Sequence, residues 1–116
     1  MASLTDVILA GKGKAHAWQV TQSNGVCRLY HYSTCMLVWN VDKPHDPEVL
    51  DYDLGWGSVS DQGGMNRAFT ALGIPLRYDR SISGGGPRIV RCGTVKQAKQ
   101  LRSSYLKMRR RHAWVR

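Results

Sequence analysis

Residues 55–75 constrain the fold most, because they contain a whole helix with signals at both ends. Apolar side chains recur there at three- and four-residue steps, and they are Met65, Ala68, Phe69 and Leu72. Ser60 suits the N-cap position, since its hydroxyl can accept a backbone N–H of the first turn, and Asp61 places a negative charge beside the helix N-terminus. Gly73 and Pro75 suit the end of the helix. The sequence therefore predicts a short amphipathic helix that covers a sheet.

Gly63 and Gly64 are unusual in the first turn of a helix, where each costs up to about 1 kcal/mol relative to alanine. We favour the explanation that this end of the helix packs closely on Trp56 or on a strand. The alternative is that bare backbone N–H groups receive a phosphate or carboxylate. The two explanations are compatible.

Asn24 and Gly25 indicate a β-hairpin, because they separate two alternating, β-prone runs at 16–22 and 26–33. Residues 35–39 read as a third, more buried strand, which completes a three-stranded antiparallel meander. The sequence leaves open which side of the second strand is buried. One side carries Arg28, Tyr30 and Tyr32, and the other carries Cys27, Leu29 and His31.

A second hairpin is predicted from residues 76–81 and 88–92, with a glycine-rich and mobile connection at 82–87. Thr94 and Gln97 then fit a capping box, which starts a last helix at about residue 95. That helix is expected to end near residue 112 and to pack through an apolar stripe formed by Val95, Ala98, Leu101, Tyr105 and Met108.

The fold class expected from these segments is α+β. It comprises the three-stranded meander, the covering helix, the second β-hairpin and a C-terminal basic helix. We expect residues 1–14 to form a flexible basic lead-in and residues 15–116 to form one domain, which fits the usual size of a domain.

The charge is unevenly distributed along the chain. Residues 88–116 hold ten Lys/Arg and no Asp/Glu, whereas residues 1–87 are nearly neutral. Such a separation favours a directed positive surface that meets a polyanion, with salt-dependent affinity. The residues predicted to bind nucleic acid are Lys96, Lys99, Arg102, Lys107, Arg109, Arg110 and Arg111 on phosphates, and Trp114 as a stacking side chain.

Five of the eight acidic residues fall within residues 42–53. An ordinary solvated loop is the favoured interpretation. A cation site and a segment that shields the basic helix remain open alternatives.

No catalytic pattern is recognisable, so we expect neither an enzyme nor a cofactor. Cys27, His31 and Cys35 are metal-ligand types. A spacing of four residues along a straight strand, however, separates each one from the next by roughly 13 Å. Ligands of one zinc lie much closer together, so no metal site is predicted. Small buried side chains are the default interpretation of these cysteines.

Compartment and partners are constrained only broadly. No run of 18 apolar residues and no signal-peptide pattern is present, so we expect neither a membrane span nor secretion. An odd number of cysteines favours a reducing, cytoplasmic compartment. A helix that lies on a membrane surface is disfavoured, because its apolar stripe is needed for the core. Oligomeric state, partner identity, sequence specificity and a preference for RNA or DNA remain open.

Four short segments match a known pattern, and they are residues 29–34, residues 55–60, Asn66 and residues 72–73. Through them, residues 16–80 resemble a small domain that bacteriophage genomes encode widely. The helix start at 60–65 departs from the threonine-rich pattern of that domain. The domain has no established activity, so the resemblance implies no functional residues. It implies a phage origin and the cytoplasm of a host cell. It also raises a rival function, in which a small phage protein inhibits a host protein or captures a nucleotide signal. The candidate contacts for that function are the aromatic residues Tyr30, Tyr32 and Trp56.

Overall fold

A computed structural model describes residues 3–41, 47–81 and 85–114, the last part from 110 to 114 by its backbone alone. The elements of these residues in chain order are α1 (Leu4–Ala10), β1 (Gly13–Ala15), β2 (Trp18–Ser23), β3 (Val26–His31), β4 (Thr34–Asn40), β5 (Val49–Tyr52), α2 (Val59–Leu72), β6 (Leu76–Asp79), β7 (Arg88–Arg91) and α3 (Val95–Trp114). The predicted α+β class, with its meander, covering helix, second hairpin and C-terminal helix, is confirmed.

The larger sheet has five strands in the order β1-β2-β3-β4-β5, and every neighbouring pair is antiparallel. Its centre, β2 to β4, is the predicted meander. Asn24 and Gly25 form the tight turn between β2 and β3, with φ of 53° and 75°. Positive φ at both central residues matches the twist of the flanking strands, which explains why this pair marks a hairpin. The strands β1 and β5 extend the meander at its two edges.

The second hairpin is a separate two-stranded sheet of β6 and β7. Its register pairs Leu76 with Arg91 and Asp79 with Arg88. The predicted mobile connection at 82–87 lies partly outside the described residues.

One buried cluster joins the inner face of the large sheet to α1, α2 and β6. In β3 the side chains alternate, so that Cys27, Leu29 and His31 are buried while Arg28 and Tyr30 on the other face are half-buried. The buried side of β3, which the sequence left open, is therefore the side that carries His31.

The prediction of a flexible lead-in over residues 1–14 is wrong for residues 4–14, which form α1 and enter β1. Ser3 and Asp6 make a capping box, and Gly11 ends α1 in the left-handed region at φ 74°. Leu4, Val7 and Ile8 are buried in the core. An isolated helix of seven residues is marginal in water, so its packing against the core is what stabilises α1.

Helix α2 begins at Val59 with Ser58 as its N-cap, so the prediction of Ser60 at that position is wrong. The reason is that Ser58 and Asp61 form a reciprocal capping box, which satisfies two backbone N–H groups at once. Gly73 is the left-handed C-cap that was predicted, with φ 68°.

The two glycines of α2 have different surroundings. A Cβ at Gly64 would lie 2.0 Å from Cζ2 of Trp18 in β2, so the helix approaches the strand too closely for any side chain. The prediction that this end of the helix packs closely on a strand is therefore confirmed for Gly64. Among the described residues nothing lies within 4 Å of a Cβ placed at Gly63.

Asn66 joins α2 to β6 as a backbone strand would. Its side-chain oxygen accepts the Tyr78 N–H at 2.7 Å, and its amide donates to the Tyr78 carbonyl at 3.1 Å. Tyr78 is fully buried, and its hydroxyl donates to the Leu54 carbonyl at 2.5 Å. One amide side chain therefore satisfies both backbone groups of a core residue.

Asn66→Ala is expected to lower the free energy of unfolding by about 1–3 kcal/mol, because it leaves two backbone groups of Tyr78 without partners. Denaturant unfolding of the variant would measure the change. Gln62→Ala is the matched control, since Gln62 accepts a single N–H from the half-buried Arg80, and its effect should be smaller. Equal effects of the two variants would contradict a special role of Asn66 in holding the Tyr78 backbone.

Helix α3 begins at Val95, and its capping box is confirmed by reciprocal bonds between Thr94 and Gln97 at 2.9 and 3.1 Å. The predicted packing of its apolar stripe is wrong for three members. Val95, Leu101 and Met108 are 42%, 59% and 57% exposed.

Helix α3 is instead attached through polar contacts. Arg102 Nε donates to the Ala71 carbonyl at 2.7 Å, Tyr105 shares a hydrogen bond with Thr5 at 3.1 Å, and Arg109 pairs with Asp6. A stripe that is largely exposed no longer argues against a membrane surface.

Candidate functional site

A buried histidine–aspartate pair links the end of β3 to the first turn of α2. His31 Nδ1 lies 2.7 Å from Asp61 Oδ1, and the two residues are 9% and 1% exposed. Asp61 Oδ2 accepts the backbone N–H groups of Trp56 at 3.0 Å and of Ser58 at 3.1 Å. Three donors therefore fix this carboxylate, and the carboxylate fixes the imidazole.

The ionised form of Asp61 is favoured in the folded protein. Burial raises the pKa of this carboxyl, but hydrogen bonds from His31, Ser58 and Trp56 outweigh burial and lower the pKa below its ordinary value. An ionised carboxylate only accepts hydrogen bonds, so His31 Nδ1 carries the proton that is donated to it. In the neutral imidazole Nε2 is then a hydrogen-bond acceptor.

His31 Nε2 faces an open cleft. It has no hydrogen-bond partner among the described residues. In those residues, every buried side-chain nitrogen or oxygen atom that solvent cannot reach does have a partner. The atom is therefore accessible, although the residue around it is nine-tenths buried. His31 lines two hollows, of about 390 and about 470 Å³, which is the size range of small-molecule sites.

We call these two hollows the His31 cleft. They share His31, Tyr32 and Ser60. The other lining residues of the first hollow include Trp18, His16, Gly63 and Arg67, and those of the second include Ser33, Thr34, Trp56 and Ser58.

Aromatic rings hold His31 and form the rim of the cleft. Trp18 stacks on the imidazole with ring centroids 4.0 Å apart and planes 8° apart, and Tyr32 lies 4.8 Å away at 36°. Tyr32 is 77% exposed and has φ 55°, an uncommon conformation for a bulky residue. The strand ends at His31, so the turn carries Tyr32 away from the face that Tyr30 occupies.

Trp56 is 92% exposed, which is unusual for the largest apolar side chain. Gly55 and Gly57 flank it with φ 61° and 74°, and its own N–H is bonded to Asp61. Arg80 Nε also donates to the Gly57 carbonyl at 3.1 Å. The backbone is therefore anchored on both sides while the indole extends into solvent at the rim of the cleft.

The predicted nucleic-acid residues are only partly free. Lys96 and Lys107 are exposed, whereas Arg102 is bonded to Ala71 and Arg109 to Asp6. These two arginines have partners within the protein, and each secures α3 to another helix. The side chains of Arg110, Arg111 and Trp114 lie outside the described residues. Lys99 is exposed on the same helix.

The acidic segment 42–53 is also only partly described. Asp42 and Asp46 lie outside the described residues. Asp51 and Asp53 accept backbone N–H groups of residues one and two positions further along the chain, Tyr52 and Gly55. Among the side chains that the structure describes, Arg109 of α3 forms an ion pair with Asp6.

Arg67 supplies positive charge at the cleft. It belongs to α2, is exposed and lines the first hollow. Helix α3 does not line either hollow with its described side chains, and its Arg109 pairs with Asp6, which in turn bonds Ser3 of the first hollow. A cation and aromatic side chains therefore adjoin each other at the cleft through Arg67.

The three aromatic residues predicted to contact a host protein do not all lie on one surface. Tyr32 and Trp56 line the same hollow, whereas Tyr30 lies on the opposite face of β3. Sequence reasoning missed the pairing of His31 with Asp61 and the stacking of Trp18. The available signal was the Ser58-x-x-Asp61 spacing, which marks a capping box and so the position of the carboxylate.

Cys27, His31 and Cys35 do not converge, since Cys27 is buried on the inner face and Cys35 is half-buried on β4. Within the described ranges no group of three His, Cys, Asp or Glu side chains is placed to hold a metal ion. All three cysteines are free thiols.

Comparison of the chain with protein-family models, curated proteins and solved structures found no match. None of the helices in the described residues has the length and apolar character needed to cross a membrane.

Proposed function

We propose that this protein is a non-enzymatic nucleic-acid-binding accessory protein that contacts phosphates through α3. The carrying observation is the composition and exposure of this helix. Its 20 residues include no Asp or Glu, and Lys96, Lys99 and Lys107 are exposed. A helix that carries only positive charge attracts a polyanion, and counterion release makes the binding salt-dependent.

The neighbouring aromatic cleft supports the same function. Tyr32 and Trp56 present exposed rings, and Arg67 lines the same cleft. Cations beside aromatic rings form the usual surface for single-stranded nucleic acid, because phosphates and bases alternate along the strand. The resemblance of residues 16–80 to a phage-encoded domain supports a phage origin, with the host cytoplasm as the compartment.

Lys96→Gln combined with Lys107→Gln is expected to weaken binding to single-stranded oligonucleotides and to flatten its salt dependence. Each lost phosphate contact should reduce the slope of log K against log salt by about 0.7. Fluorescence anisotropy across a salt series would measure both quantities.

The control is Lys12→Gln combined with Lys14→Gln, which removes the same charge from exposed positions outside α3. Equal losses in the two double variants would contradict a specific role of α3. Binding of the wild-type protein to vesicles of anionic lipid and to no oligonucleotide would contradict the proposed function altogether.

Inhibition of a host protein is the second candidate function, and the exposure of Trp56 and Tyr32 favours it. Large aromatic side chains are frequent anchors of protein interfaces. A host protein that is recovered with the wild-type chain but not with Trp56→Ala, together with no oligonucleotide binding at low salt, would favour this candidate.

A further inference from the structure

We infer that the His31 cleft holds one unpaired nucleobase of the bound strand, with the base stacked on Tyr32 and Trp56 and its polar edge bonded to His31 Nε2. This inference rests on the proposed function and names the part of the ligand that the cleft recognises.

The chemistry of His31 selects a base rather than a phosphate. Its Nδ1 faces Asp61 at 2.7 Å, so Nε2 is the ring nitrogen left for a ligand, and on a neutral imidazole that nitrogen accepts a hydrogen bond. Nucleobases carry amino and imino N–H donors on their edges, whereas a phosphodiester has none. The Asp61 carboxylate behind the ring also repels an anion at this point.

The rings at the rim suit a flat, uncharged partner. Tyr32 and Trp56 are 77% and 92% exposed and line the same hollow as His31. Stacking of a base on such side chains is tolerant of sequence, because every base has a π-face. The hydroxyl groups of Ser33, Ser58 and Ser60 around the cleft provide further donors and acceptors for the edge of a base or a sugar.

The depth of His31 requires the base to be unpaired. A base within a duplex is stacked on both faces and has its pairing edge occupied, so it cannot reach a nine-tenths buried imidazole. Arg67 at the wall of the cleft is placed to contact the phosphates that flank the base. The cleft therefore distinguishes single strands from duplexes, which α3 alone does not.

The test compares three probes of equal length: a labelled single-stranded oligonucleotide, an abasic strand with the same phosphates, and a duplex. Trp56→Ala and Tyr32→Asn are the variants. Trp56 is almost fully exposed, and asparagine tolerates the left-handed φ of residue 32, so both variants should fold. Tyr52→Ala is the control, since Tyr52 is a half-exposed aromatic on β5 that does not line the cleft.

Each cleft variant is expected to weaken binding of the single strand by about 5- to 150-fold, which is the range for loss of one stacked base. Affinity for the abasic strand should change little, and Tyr52→Ala should bind all three probes like the wild type. The ¹⁵N resonance of His31 Nε2 in the wild-type protein should also shift when the single strand is added and not when the abasic strand is added.

Failure of the inference is separate from failure of the proposed function. If the wild type binds abasic and normal strands equally tightly, the base site is overturned while phosphate binding by α3 stands. The same conclusion follows if the His31 resonance does not move. If none of the three probes binds at low salt, both proposals are overturned.

Discussion

Gly64→Ala should destabilise the protein by about 3 kcal/mol, although alanine is the better helix former. The new Cβ would lie 2.0 Å from Cζ2 and 2.4 Å from Cη2 of Trp18, well inside van der Waals contact. The indole cannot simply turn away, because it stacks on His31 at 4.0 Å, and His31 is bonded to Asp61. Helix α2 and strand β2 must therefore separate where Gly64 meets Trp18.

Gly63→Ala is the matched control one residue earlier in the same turn. Among the described residues nothing lies within 4 Å of its new Cβ, so the helix should gain up to about 1 kcal/mol. Denaturant unfolding of both variants would measure a difference of about 4 kcal/mol between adjacent positions. If Gly64→Ala proved as stable as Gly63→Ala, the close contact of α2 with Trp18 would be wrong.

Asp61→Ala is expected to cost about 3 kcal/mol or more of unfolding free energy, since each buried donor that loses its acceptor costs about 1–3 kcal/mol. The substitution leaves the N–H groups of Trp56 and Ser58 without acceptors and removes the partner of His31. Because His31 would lose its orientation, Trp18 and the cleft would also be disturbed. Thermal and denaturant unfolding would measure the loss.

Asp6→Ala provides the comparison, because Asp6 occupies the same capping-box position in α1 as Asp61 does in α2. Asp6 is exposed, so its loss should cost no more than about 1 kcal/mol. Similar losses from the two variants would show that burial of Asp61 adds nothing to the cap.

The pair also predicts how stability depends on acid. The pKa of Asp61 is lower in the folded protein than its unfolded value of about 3.9, so its contribution is present above that pH and is lost as the pH falls through the folded pKa. Asp61→Asn should therefore flatten the decline of stability below about pH 4. The decline should not vanish, because a hydrogen bond from Arg109 also lowers the pKa of Asp6. The pKa of Tyr78 is raised, first by burial of its hydroxyl and then by the negative charge of Asp61.

Local patterns predicted the elements whose signals lie within a few residues of each other. Asn24 and Gly25 marked the hairpin because both need positive φ, and Gly73 marked the end of α2 for the same reason. Thr94 and Gln97 marked the start of α3 because their bonds are reciprocal and local. Helix α1 was missed although Ser3 and Asp6 form a local capping box, because seven residues are too few for a stable helix alone and its stability comes from burial of Leu4, Val7 and Ile8 in the core.

Patterns along the chain predicted the class of fold, the central meander and the excess of positive charge in α3. Which distant residues contact one another was visible only in the folded molecule. His31 and Asp61 are 30 positions apart, and Arg109 and Asp6 are 103 apart. Spacing along the chain specifies local hydrogen bonds, whereas contacts between distant residues depend on how helices and sheet pack together. That packing brought an imidazole and two exposed aromatic rings to one cleft.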